Sequence, residues 1–225
     1  MNSKTRNSLI SLIGAKGELR SIIQKNAKAC FDELEVVLNN IVSNYNSKLK
    51  DSKAHLSVER PSERIYKLIV DDDTLIFSLQ SGVCAFDREH DAWKTQYVVE
   101  NNARVYVGVI NVYDFLTDTF KYEREEDAGY MIARIFVNMD NHFFVEGKRQ
   151  RGMGVANFGT LEMSRDNMLK IVETAVKYAV EFDALVPPYE QVMLSDYAHM
   201  YLEIEKSKTC SSKRLGFQFR ADDVK

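Results

Sequence analysis

Residues 66–79 read YKLIVDDDTLIFSL, and this stretch decides the class of fold. Tyr66, Leu68 and Val70 alternate with Lys67. Asp71, Asp72 and Asp73 form a polar break, and Leu75, Phe77 and Leu79 resume the alternation. A period of two puts one set of side chains on one face of a strand. Two such runs around a short acidic turn predict an antiparallel hairpin.

The chain beyond it repeats the pattern. Val83 to Phe86 reads as a short buried strand. Tyr97 to Val99 and Arg104 to Tyr113 predict a second hairpin about Asn101 and Asn102. Tyr130 to Val137 and His142 to Val145 predict a third, turning at Asn138-Met139-Asp140-Asn141. Consecutive hairpins imply antiparallel pairing rather than βαβ winding.

Upstream the period is helical. Leu19, Ile23, Ala27, Cys30, Leu34, Val37 and Ile41 step by four or three, and Phe31, Leu38, Val42, Tyr45 and Leu49 widen that face. Gly14 and Gly17 are expected to separate a short leading helix from this long one. Downstream, Ser164 and Asn167 mark a helix start, with Leu169, Val172, Val176 and Ala179 on one face and Pro187-Pro188 as its stop. A second helix is expected from Tyr189 to Lys206, and an edge strand through Leu215, Phe217 and Phe219. The reading is an α+β fold: a long N-terminal helix, a mainly antiparallel sheet, two C-terminal helices and a short final strand. Its divisions are a helical segment over 1–52 and an α+β domain over 53–225, with the sheet in 53–160, helices in 161–206 and the tail strand in 214–220, together one compact unit.

Composition narrows the function classes. A formal charge of −3 over 225 residues gives no global attraction to nucleic acid or anionic lipid. No run approaches a membrane span, and Leu9 to Ile13, interrupted by Ser11, is too short for a signal-peptide core. Cys30, Cys84 and Cys210 are odd in number and widely spaced, so they imply neither disulfide framework nor zinc site, and a reducing cytoplasm is the natural location.

Few residues point to chemistry. Gly147-Lys148-Arg149-Gln150-Arg151-Gly152 places three cations between glycines, a pattern that suits a phosphate or carboxylate, and with His142 or Phe144 beside it a nucleic acid. It lacks P-loop spacing and equally describes a solvated loop. Asp196, His199 and Glu203 share one helix face and are the first metal ligands to consider; a polar face opposite Met193, Tyr197, Met200 and Ile204 is the plainer account, and no metal or cofactor is expected. Cys84 with His90 is a weak nucleophile–base spacing in an apolar context. Arg134 alternates with Ile132 and Phe136, so an inward guanidinium needs a carboxylate, and Asp114 is the candidate for a shared pocket.

The expectation that follows is a non-catalytic, cytoplasmic interaction or accessory protein, a homodimer built on the N-terminal helix, with another protein as a possible partner and no membrane. Leu34, Val37, Leu38, Ile41, Val42 and Tyr45 are the expected interface, because so long an apolar stripe outruns the sheet that can cover it. The alternatives are a ligand- or nucleic-acid-binding module using Lys148, Arg149, Arg151 and His142, and an enzyme of unrecognised type.

Overall fold

The structure is a computed structural model and describes residues 3–50, 52–125, 127–147, 149–182, 197, 198, 200, 201 and 204. Two units divide the chain, Met1–Val180 and Glu181–Lys225. The first contains a seven-stranded, wholly antiparallel sheet with its two long helices on one face, so the α+β reading stands. Of the second, Tyr197, Ala198, Met200, Tyr201 and Ile204 are helical. The expected tail strand lies outside the described residues.

The sheet runs β1 (Leu56–Ser62), β2 (Ile65–Val70), β3 (Asp73–Leu79), β5 (Tyr106–Leu116), β6 (Tyr130–Asn138) and β7 (Phe143–Gly147) in spatial order, with β4 (Cys84–Ala85) also on β5. The hairpin of residues 66–79 forms in the register its alternation implies: Tyr66 faces Phe77, Leu68 faces Leu75, and Asp71 takes φ 55° at the turn. The β6–β7 hairpin also forms where expected, Asn141 carrying the positive φ.

The middle hairpin does not form. Gln96–Glu100, which contains Tyr97 to Val99, is a helical turn (α2), and β5 pairs instead with β3 and β6. Thr95 overrides the apolar alternation by capping that turn: its Oγ1 accepts from the Val98 amide at 3.4 Å. Cys84 is only half-buried and Ala85 exposed, so β4 is not the buried strand expected.

Helix α1 spans Ser3–Lys48 without a break at Gly14 or Gly17. Its 46 residues reach about 69 Å at 1.5 Å per residue. Ile23, Ala27, Phe31, Leu34, Leu38 and Ile41 are buried on the sheet. At its C-terminal end Asn46 clamps the start of β1: Oδ1 accepts from the Leu56 amide at 2.9 Å and Nδ2 donates to the Leu56 carbonyl at 2.8 Å. A short helical turn, α3 (Thr117–Lys121), follows β5. Helix α4 (Arg165–Val180) starts where Ser164 Oγ accepts from the Asn167 amide, packs beside α1 on β3 and β6, and ends seven residues before Pro187.

Among the described residues, the opposite face of the sheet is covered at one end only. There Ala92, Val98, Val105 and Phe158 pack on Val107, Val109, Phe136 and Phe144, a second core built by the segment between β4 and β5. At the other end Ile65, Ile76, Tyr113, Phe115 and Phe120 line an open apolar groove of about 340 Å³, with Lys67 Nζ 4.3 Å from the Phe120 ring centroid.

Candidate interaction surface

Among the described residues of its unit, the first half of α1 has no element packed against it. From residue 5 to residue 22 only Leu19 is even half-buried. Leu9, Ile10, Leu12 and Ile13 are 45, 61, 55 and 63% exposed. A Cβ added at Gly14 or Gly17 would meet nothing within 4 Å. At about 100° per residue, Leu9, Leu12 and Ile13 share the side of the helix that buries Ile23, Ala27, Phe31 and Leu34 on the sheet. The row Leu9, Ile13, Lys16, Arg20, Ile23, Ala27, Cys30, Leu34, Val37 and Ile41 runs in unbroken steps of four and three. One face thus continues from the core into solvent, with Lys16 and Arg20 where it leaves the sheet.

The departure point is fixed by polar contacts. Asn26 Nδ2 donates to the carbonyls of Asn138 (3.1 Å) and Met139 (2.9 Å), pinning α1 to the β6–β7 turn. Fully buried Asn138 accepts through Oδ1 from the amides of Asp140 and His142 and donates to the Tyr97 hydroxyl at 2.9 Å. Tyr97 donates to Asp140 at 2.7 Å, and Arg104 reaches the same carboxylate at 2.9 Å. Burial pushes the Tyr97 phenol up to about 12, with the Asp140 carboxylate adding to the shift. This network holds a turn rigid and directs the helix past it.

The residues expected to form the dimer seam are elsewhere engaged. Leu34, Val37, Leu38 and Ile41 are buried within this chain; Val42 and Tyr45 are half-buried, and Tyr45 donates to Glu173 of α4 at 3.1 Å. The helix does outrun its sheet. The free end is the N-terminal one, not the 34–45 stretch.

The basic loop and its companions are not one site. Arg149 and Arg151 are exposed, Arg149 has φ 60° with its guanidinium 5.5 Å from the Tyr178 ring centroid, and Lys148 lies outside the described residues. His142 sits at the other end of β7, stacked on Tyr97 at 5.1 Å and bridged to Glu162. Gly147 is five residues further along the strand, about 16 Å at 3.3 Å per residue, so His142 takes no part in that loop.

Arg134 and Asp114 do not meet. Arg134 is opposite Asn111, half exposed, and pairs with Glu146 at 2.5 Å. Glu146 also accepts from His90 Nε2 at 2.7 Å. His90 Nδ1 accepts from the Ala92 amide at 3.1 Å, so both ring nitrogens are committed and the ring stacks on Phe86 at 4.4 Å. The Cys84–His90 nucleophile arrangement is thereby overturned: Cys84 Sγ has Gln80 Nε2 as its partner at 3.5 Å, and the imidazole has no free nitrogen to act as base.

Asp114 faces the helices, opposite fully buried Leu75. It is 7% exposed, and its Oδ1 has no hydrogen-bond partner. Burial, with the nearby Asp73 charge, pushes its carboxyl up to about 7, against a lowering hydrogen bond from the Phe115 backbone. Among the described residues no three His, Cys, Asp or Glu side chains gather to hold a metal, and no helix is long and apolar enough to cross a membrane. Asp196, His199 and Glu203 lie outside the described residues.

Sequence reasoning missed the free helix end because the two glycines read as a boundary. The signal was present in Leu9 and Ile13, which extend the row of fours and threes past Leu19. The clamp at Asn46 had no signal, since an asparagine near a helix end equally marks fraying. Comparison of the chain with family models, with curated proteins and with solved structures gives no match.

Proposed function

We propose that this chain is a non-catalytic interaction protein that self-associates through residues 5–22 of α1. The observation that carries the reading is the row of exposed Leu9, Leu12 and Ile13 in line with the buried face of the same helix. Isolated helices of this length are marginal in water. Gly14 and Gly17 each cost about 1 kcal/mol relative to alanine in a helix interior. A helix with that composition and four exposed apolar side chains gains its stability from a surface that covers it.

A second copy of the chain suits that surface. Arg6, Lys16 and Arg20 oppose Glu18 alone in this stretch, while the whole chain is −3, so the remainder of the chain is more acidic than the whole. A second copy supplies both an apolar row and the complementary charge, and two-fold pairing is the commonest closed arrangement. Light scattering on the full chain, wild type against Ile10→Asp with Ile13→Asp, tests this. The expected result is a dimer that becomes a monomer with unchanged thermal unfolding of the monomer fold, because neither side chain touches the core. A wild-type monomer at tens of micromolar overturns self-association. A dimer that survives the substitutions places the interface elsewhere.

A further inference from the structure

We propose that Asp114 is a proton-operated latch: α4 closes over a neutral carboxyl on the sheet, and loss of that proton loosens α4. The side chain lies on the helix-covered face of β5, between β3 and β6, and α4 packs on both of those strands. A carboxylate that is 93% removed from solvent, with one oxygen accepting nothing, is a costly group to ionise. Among the described residues, its surroundings do not offset that cost. On β3 the nearest charge is another carboxylate, Asp73, and Asp71 and Asp72 complete an acidic turn. On β6 its partner is Tyr130, whose phenol burial also pushes up. The last turn of α4 carries Lys177 and Tyr178, and neither gives Oδ1 a hydrogen bond. Among the described residues the backbone amide of Phe115 favours the ionised form, and its effect is smaller than that of burial. The C-terminal end of a helix is itself the negative end of its dipole.

The sign follows from linkage. The native carboxyl titrates near 7 and the unfolded one near the ordinary 3.8. Between those values the native state holds a proton that the unfolded state has released. Stability contributed by the neutral form is therefore complete below about pH 4, falls as pH rises, and is lost above about pH 7. Asp114→Asn keeps the shape and removes the titration. Denaturant unfolding of both proteins from pH 5 to pH 8.5 is the test. The unfolding constant of the wild type relative to Asn should rise about tenfold per pH unit from 5 to 7 and level off above 8. A ratio that does not change with pH overturns the proposal. Should the Asn variant not fold, carbon NMR of the Asp114 carboxyl in the wild type decides: a midpoint near 7 supports the latch and one near 4 overturns it. Hydrogen exchange then locates the effect. After correction for the intrinsic rate, α4 amides should lose protection above pH 7 in the wild type and hold it in the Asn variant; equal pH profiles in the two overturn the role of α4.

Discussion

Gly108 of β5 lies against Ala27 of α1 so closely that a Cβ on the glycine would stand 2.4 Å from the Ala27 Cβ. The pair sets how near the long helix comes to the sheet, and so where its free end is aimed. Gly108→Ala should destabilise the protein by about 1–3 kcal/mol, the usual cost of overpacking. Adding Ala27→Gly should recover part of this, since it removes the clashing methyl, less about 1 kcal/mol of helix propensity. Urea unfolding of the single and double variants measures the coupling, and additive losses would contradict the contact.

His90 is a structural residue on this account. Its Nδ1 caps the turn at Ala92 and its Nε2 donates to Glu146. His90→Ala should cost about 1–2 kcal/mol through the lost cap and bond. His90→Asn keeps a cap acceptor and should cost less. Equal losses for the two variants would remove the cap from the explanation.

Burial, with a smaller effect of Glu33, pushes the Cys30 thiol up to about 12. At pH 8 it is therefore protonated as well as inaccessible, and the thiolate is the reactive form. Peptide mapping after brief treatment with a thiol reagent should show Cys30 unlabelled in the native protein and fully labelled in guanidinium. Labelling of Cys30 at the rate of a free thiol would contradict its place on the buried face of α1.

Much of the fold was legible because its strands are half-buried and its apolar period is clean. Residues 66–79 state the hairpin outright, and Ser164 marks the start of α4. What was not legible depended on tertiary contacts. Leu56 to Ser62 carries Pro61 and four exposed residues, and it is a strand because Asn46 and β2 hold it. Tyr97 to Val99 alternates like a strand yet is a capped turn. The free end of α1 was hidden by Gly14 and Gly17, whose cost to a helix is real but too small to break one of 46 residues. Arg134 and Asp114 looked like partners because alternation alone does not report register: Arg134 lies opposite Asn111, three positions along β5 from Asp114. The register shift between Val112 and Tyr113 is what places Asp114 opposite Tyr130.

The claim that residues 5–22 are an interface is tested most directly by hydrogen exchange across a range of protein concentrations. In a lone chain these amides belong to a stretch of helix with no tertiary support among the described residues, and they should exchange within seconds. The account predicts that their protection rises with concentration while that of Ile23 to Ile41 does not change. Fast exchange over residues 5–22 at every concentration up to hundreds of micromolar would contradict it.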